Sequence, residues 1–119
     1  YDYRNIEVTI DEQGIFKVTM NESLAVALLT NLLKNAFVHN IDGGHIRITV
    51  TKNSITFRNS GVKNPLDKEH IFERFYQGTK KEGSTGLGLA IADSICRLQH
   101  LSIRYYFEQK EHCYEISRQ

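Results

Sequence analysis

The chain is organised around the stretch ESLAVALLTNLLKNAFVH, residues 22–39. Its apolar side chains recur every four residues in two adjacent rows, which is the spacing of a helix with one broad apolar face. The rows are Leu24, Leu28, Leu32 and Ala36, and then Ala25, Leu29, Leu33 and Phe37. Asn21 is a suitable N-cap, and Gly43 and Gly44 follow the last residue expected to be helical. The pattern predicts a long helix, from Glu22 to about His39, that lies on a hydrophobic core.

Polar side chains follow one border of that apolar face. At about 100° per residue, Asn31, Asn35 and His39 lie within about 80° of one another, beside Leu24 and Leu28. A polar group buried without a hydrogen-bond partner costs on the order of 1 to 3 kcal/mol. These three side chains therefore need partners. Either neighbouring loop backbone and water supply them, or a ligand does.

Alternating apolar and polar residues predict strands in the rest of the chain. The predicted strands are residues 5–10, 15–19, 45–51, 55–57, 101–108 and 112–117. The first two are expected to pair around the turn-like residues 11–14. A second helix is predicted over residues 86–99, and residues 67–75 form a short amphipathic piece. The mixture favours an α+β fold, a two-layer sandwich with one mostly antiparallel sheet and helices on a single face.

The composition excludes several classes of protein. The chain has 119 residues, a formal net charge of +1 and 40% hydrophobic residues, as expected for a single soluble domain. Its charges are interspersed, which argues against a nucleic-acid-binding surface, and it has no apolar stretch of the length that a membrane span needs. Cys96 and Cys113 are expected to be reduced thiols, because no secretory signal is present.

A glycine-rich segment, GSTGLGLA at residues 83–90, precedes the second predicted helix. Glycines allow backbone N–H groups to approach an anion closely, and a helix N-terminus favours negative charge, so phosphate is the natural ligand. The segment lacks the lysine of a Walker loop, and a polar loop precedes it where a dinucleotide-binding fold has a strand. A flexible connection is the other explanation. Two explanations are also open for the end of the strand at Asn59, Ser60 and Gly61. These residues form either a plain turn or part of a binding site.

Four motifs in this order identify a resemblance. They are Asn31–Ala36, Asn59–Gly61, Ile71–Tyr76 and Gly83–Ile91. They resemble the N, first glycine, F and second glycine boxes of the ATP-binding catalytic domain of sensor histidine kinases, in the GHKL ATPase superfamily. The resemblance implies that residues 1–119 form one catalytic and ATP-binding domain with a Bergerat-type fold. That fold is a mixed sheet of about five strands with three helices on one face.

The resemblance also implies roles for individual residues. Asn35 would bind Mg²⁺ through its amide oxygen, with Asn31 and His39 near the phosphates of ATP. Asn59 would accept a hydrogen bond from the exocyclic amine of adenine, and Gly61 would leave room for the ring. The sequence thus predicts ATP and Mg²⁺ as cofactors.

A lid over the nucleotide is implied as well. Phe72, Arg74 and Phe75 would begin it and residues 76–85 would form it. Its predicted nucleotide-binding residues are Tyr76, Lys80 and Thr85, followed by the backbone of Gly86, Leu87, Gly88 and Leu89. Arg74 is the candidate stabiliser of the transferred phosphate, with Lys80 and Lys81 as further cations.

The implied activity is transfer of the γ-phosphoryl group of ATP to a histidine on a separate dimerisation domain, with a response regulator downstream. This fits a cytoplasmic domain of a bacterial protein, whose parent chain could be membrane-anchored. A regulatory nucleotide-binding module and a serine-phosphorylating relative are the alternatives. Four positions depart from the family pattern, namely Val38, Asn59, Gln77 and the pair Glu111–His112.

Overall fold

The computed structural model describes residues 5–76 and 86–119. Its elements in chain order are β1 (Glu7–Glu12), α1 (Glu22–Val38), β2 (His45–Val50), β3 (Ser54–Asn59), α2 (Gly88–Leu98), β4 (Leu101–Glu108) and β5 (Glu111–Arg118). Neither helix in this part of the chain is long and apolar enough to cross a membrane.

The five strands form one mixed sheet in the order β1-β2-β3-β5-β4. β1 pairs with β2 in parallel, and the other neighbours pair antiparallel. The core lies between the sheet and the two helices, where Leu32 and Ile95 from the helices meet Phe57, Tyr114 and Ile116 from the strands. The predicted α+β sandwich is therefore confirmed.

The prediction of a strand at residues 15–19 was wrong, because the structure has no strand there. A parallel neighbour cannot be reached through a tight turn, so the chain passes through α1 before it returns as β2. Residues 15–19 instead cross towards α1, held by Arg118. The guanidinium of Arg118 donates to the Lys17 and Lys52 carbonyl oxygens, at 3.0 Å each from Nη2, and lies 4.6 Å from the centre of the Phe16 ring.

The expectation of three helices was also wrong for the described residues, which contain two. The amphipathic piece at 67–75 forms consecutive turns instead of a helix. Asp67 O accepts from the backbone N–H groups of His70 and Ile71, and the next turn bond runs from Glu73 N to His70 O. Because the first turn is not continued with i→i+4 bonds, the segment stays irregular.

The helices bury narrower faces than their patterns predict. Asn21 Oδ1 caps α1 by accepting from Leu24 N at 3.0 Å, as expected. Only the first apolar row of α1 is turned to the core, and Leu29 in the second row is 43% exposed. In α2, apolar spacing predicts that Leu87, Ile91, Ile95 and Leu98 face the core. Ile95 is buried, whereas Ile91 is 43% exposed and Leu98 is 67% exposed.

A buried carboxamide joins the end of α1 to the sheet. Asn40 is fully buried, and its Nδ2 donates to Ala36 O at 3.1 Å and to His45 O at 2.9 Å. Its Oδ1 accepts from Ile41 N at 2.8 Å and from Ser60 Oγ at 2.6 Å. One side chain thus fixes the positions of the helix end, the start of β2 and the residue after β3.

We expect the Asn40→Ala substitution to lower the free energy of unfolding by about 1–3 kcal/mol, because it leaves several buried polar groups short of partners. Urea denaturation followed by circular dichroism measures this change. Asn53→Ala is the matched control, since Asn53 lies in an exposed turn, and it should cost less than about 0.5 kcal/mol. Equal effects of the two substitutions would contradict the role given to Asn40.

Candidate functional site

Two adjoining cavities lie between α1, the start of α2 and the ends of β3 and β5. The larger has a volume of about 180 Å³ and the smaller about 40 Å³. The residues that line both are Asn35, His39, Ile71, Tyr76 and Leu89. Because they share these walls, we treat the two cavities as one site with a wide end and a narrow end.

The polar border of α1 faces this site. Asn31 Nδ2 donates to Ala27 O of its own helix at 2.8 Å, so part of its hydrogen-bonding capacity is met by backbone. Asn35 differs, because its buried Nδ2 has no hydrogen-bond partner of acceptable geometry among the described residues. It is near enough to the Tyr114 hydroxyl to lower the pKa of that group, against the larger effect of burial. The carboxamide of Asn35 therefore retains the capacity to bind a ligand.

Asn59 supplies a second uncommitted atom, at the narrow end. It ends β3, is 1% exposed, and donates from Nδ2 to Ser60 O at 2.7 Å. Its buried Oδ1 has no partner among the described residues. Because a carbonyl can only accept, Ser60 O fixes the orientation of the amide and leaves the oxygen as the uncommitted atom. The narrow end therefore offers a hydrogen-bond acceptor.

Gly61 lies where the backbone segments around the narrow end converge. A Cβ at this position would lie 2.8 Å from the His39 carbonyl oxygen and 3.2 Å from Cδ2 of His112. Real Cβ atoms are not found so close to backbone oxygen. Glycine is required here by the close approach of the α1 C-terminus and β5.

The start of α2 forms the opposite wall of the wide end. Gly86 has φ +74°, and a Cβ at this position would lie 2.8 Å from Phe75 Cα. Because glycine has no Cβ, its carbonyl oxygen can accept from Phe75 N at 2.6 Å. No side-chain hydrogen bond caps the start of α2 within the described chain. The first N–H groups of a helix have no partner inside the helix, so they are available to an anion. A Cβ on Gly88 would be 3.3 Å from Asn31 Oδ1, which places the Asn31 oxygen beside this wall.

Most of the predicted site residues are brought together. Those that line the cavities are Asn31, Asn35, His39, Asn59, Tyr76, Gly86, Leu87, Gly88 and Leu89. Phe72 packs against the hydrophobic core instead. Arg74 is exposed, with its guanidinium carbon 5.4 Å from the centre of the Phe75 ring. Lys80 and Thr85, like Gln77 and Lys81, lie outside the described residues.

Several lining residues were not predicted. They are Lys34, Val38, Val62, Leu66, Ile71, Ile91, His112 and Tyr114. Two of them could have been predicted from the sequence. Lys34 follows Asn31 by three residues on the same helix, so the two share a face, and Tyr114 alternates with the other inward-facing residues of β5. Val62 and Leu66 carried none, since only the tertiary fold brings their loop to the site.

The charge in the site is sparse. Among the described lining residues, Lys34 carries the only permanent charge. Burial lowers the pKa of His112 and raises the pKa of Tyr114, so both stay neutral near pH 7. The described residues contain no cluster of three acidic, histidine or cysteine side chains suited to a metal ion. Any cation here would be held by amide oxygens together with the oxygens of a ligand.

Comparison with known proteins identifies the family to which the chain belongs. The family model described as "Histidine kinase-, DNA gyrase B-, and HSP90-like ATPase" matches residues 20–116. The chain belongs to this ATPase family. The proteins that it resembles include a sensor histidine kinase and the catalytic domains of histidine kinases, as the four motifs had indicated.

One relative of this ATPase domain is the sensor histidine kinase RppB of Synechocystis sp., with 43% identity over 84 residues. The match covers 63% of this chain and 18% of RppB. The chain thus spans about a fifth of the length of the curated relatives it matches. The catalytic domain of the histidine kinase ThkA superposes with a TM-score of 0.82 at 25% identity, covering 95% of this chain and 78% of that domain.

A further structure contains ThkA in complex with the response regulator protein TrrA. It matches with a TM-score of 0.75 and 23% identity, covering 95% of this chain and 34% of that one. This likeness shows the fold of the ATPase domain.

Proposed function

We propose that residues 1–119 act as one kinase domain that binds MgATP in the two cavities and transfers its γ-phosphoryl group to a histidine of a separate dimerisation domain. The observation that carries this proposal is a pair of carboxamides, Asn35 and Asn59, each with one buried and uncommitted polar atom in the site. Burying such atoms costs about 1–3 kcal/mol each, and a ligand that bonds to them removes the cost.

The narrow end fits the base. Asn59 Oδ1 accepts from the exocyclic amine of adenine. The neighbouring Gly61 lets the His39 backbone and His112 approach the end of β3 closely, which shapes this end of the site. Val62, Leu66 and Ile71 provide the apolar walls against which a flat ring packs. A 6-oxo purine would place an acceptor opposite the Asn59 oxygen, so the site favours adenine over guanine.

The wide end fits the triphosphate and its metal ion. The N–H groups at the start of α2 and the ammonium group of Lys34 attract the phosphates. Mg²⁺ prefers oxygen ligands, and the carboxamide oxygens of Asn31 and Asn35 supply them beside the phosphate oxygens. When bound, the ion neutralises charge on the transferring group.

Transfer breaks the bond between the γ-phosphorus and the oxygen that bridges it to the β-phosphate, and it forms a bond from phosphorus to the acceptor nitrogen. The domain contributes positioning and electrostatic stabilisation, which is how most of the barrier to phosphoryl transfer is lowered. The acceptor histidine belongs to a partner domain of the same protein, and a response regulator would receive the phosphoryl group next. The ThkA structure with TrrA gives precedent for such a partner.

A regulatory module that binds nucleotide with little transfer is the second candidate. Val38 favours it, because this residue is buried at the position where the family commonly has a phosphate-contacting cation. A module of this kind would use the same site but would lack charge compensation during transfer.

The two candidates are separated by mixing the domain with the dimerisation domain of its own parent protein and MgATP labelled at the γ-phosphate. We expect label on the dimerisation domain at a histidine, seen as acid-labile and base-stable phosphate. Nucleotide binding without any labelled acceptor would favour the regulatory module.

We expect Asn35→Ala to weaken MgATP binding by at least about tenfold, because it removes an oxygen ligand and a buried hydrogen-bonding group. Isothermal titration calorimetry measures the effect. Thr30→Ala, on the exposed side of α1, is the matched control and should bind as the wild type does. In EDTA the difference between Asn35→Ala and the wild type should shrink; an unchanged difference would refute the metal-binding role.

We expect Lys34→Gln to weaken MgATP binding by about five- to tenfold, since it removes the charge that faces the phosphates. Adding Val38→Lys to this variant should restore affinity, because the new cation lies one helical turn away on the same side. Lys52→Gln, in the exposed turn between β2 and β3, controls for net charge. If Lys34→Gln and Lys52→Gln bind alike, Lys34 does not contact the phosphates.

A further inference from the structure

Two buried side chains of the sheet hold the loop that forms one wall of the narrow cavity. His112 is 2% exposed, and its Nε2 bonds to the Val62 carbonyl oxygen at 2.7 Å. Its Nδ1 bonds to the Tyr105 hydroxyl at 2.7 Å, and this hydroxyl accepts from Leu66 N at 2.9 Å. His112 and Tyr105 thus contact both ends of residues 62–66.

The partners fix the tautomer of His112. A carbonyl oxygen only accepts, so Nε2 carries the hydrogen and Nδ1 accepts the hydrogen of the Tyr105 hydroxyl. The Tyr105 oxygen remains free to accept from Leu66 N. Each donor in this chain of three hydrogen bonds meets one acceptor, which requires neutral histidine.

The loop also forms part of the proposed adenine site. Val62 and Leu66 line the narrow cavity together with His112 itself. In the sheet register, His112 is directly opposite Asn59, whose oxygen is the proposed acceptor for the base. The position of this wall relative to Asn59 is therefore set by the two hydrogen bonds at the loop ends.

We infer that His112 and Tyr105 are positioning residues for the nucleotide base, and that nucleotide affinity falls when His112 is protonated. This inference rests on the proposed function. It concerns residues acting through the loop, since Tyr105 does not line either cavity.

Protonation disrupts the chain of hydrogen bonds for a simple reason. With hydrogen on Nδ1, His112 can only donate, so the Tyr105 oxygen would face two donors while its own hydrogen lost its acceptor. Burial lowers the pKa of His112, so this happens below the usual value of about 6.5. The titratable groups that share the surroundings of the ring are Tyr105, His39, Tyr76 and Tyr114.

The test compares MgATP affinity of the wild type, His112→Gln and Tyr105→Phe between pH 5 and 8. Effects of pH on ATP and on the groups that all the variants share cancel in the ratio to His112→Gln. We expect this ratio to fall about tenfold for the wild type as the pH decreases. Tyr105→Phe should bind about five- to tenfold more weakly than the wild type at pH 8.

Matched controls are Tyr106→Phe, on the opposite face of β4, and His100→Asn, at an exposed position with φ +60° that asparagine tolerates. Both should follow the wild-type pH profile. A wild-type profile that matches that of His112→Gln at every pH would overturn the inference.

Hydrogen exchange of the Leu66 amide, measured by NMR without nucleotide, separates this inference from the proposed function. We expect the protection factor to fall at least tenfold in Tyr105→Phe and in the wild type at pH 5, but not in Tyr106→Phe. Unchanged protection in Tyr105→Phe overturns the positioning role. A different result would overturn the proposed function: the wild type binds no MgATP at pH 8, yet its Leu66 amide loses protection at pH 5 as expected. The positioning of the loop by His112 and Tyr105 would then still stand.

Discussion

The site depends on the carboxamide of Asn40, because it joins the two elements that carry the uncommitted side chains. α1 carries Asn35, and β3 carries Asn59. Asn40 follows α1 and bonds to the start of β2 and to Ser60, directly after β3. Since all four of its hydrogen-bonding positions are used within the protein, it serves the fold and not a ligand. The end of the helix and the end of the strand are thereby held in one register.

Asn35 and Asn59 show the opposite use of the same side chain. Their neighbours satisfy only part of each amide, although burial makes the remaining part costly. Asn31 lies between these cases, with Nδ2 bonded to its own helix and its oxygen beside Gly88. The four asparagines Asn31, Asn35, Asn40 and Asn59 thus differ in how much hydrogen-bonding capacity they leave for a ligand. The asparagines of the site are distinguished from those of the core by this unused hydrogen-bonding capacity, since the residue type is the same.

The parts of the fold that follow from local patterns could be predicted from the sequence. The periodicity of residues 22–39 and the N-cap at Asn21 defined α1 to within one residue, and alternation located β2, β3, β4 and β5. The prediction for residues 15–19 was wrong because their β-branched residues favour a strand locally. The parallel pairing of β1 with β2 is set by tertiary contacts, which local sequence patterns do not show. Similarly, the four motifs contain most of the residues that line the cavities, whereas Val62 and Leu66 lie outside them and reach the site only through the tertiary fold.

The departure of Glu111 and His112 from the family pattern is explained by the two faces of β5. Successive strand residues point to opposite faces. On the outer face, Glu111 reaches across β3 to His45 and Arg47 of β2, at 2.7 and 2.8 Å. Burial alone would raise the pKa of Glu111, but these two hydrogen bonds hold it below its usual value.

On the inner face, His112 is bonded to the loop after β3. The end of β3 is therefore enclosed by side chains of β5 on both faces, at the point where Asn59 meets the narrow cavity. In the described part of the chain, the wide end is built from the side of one helix and the start of another. We therefore expect the base end of the site to be the more rigid of the two, with recognition of the base set by the sheet and accommodation of the phosphates left to the helices.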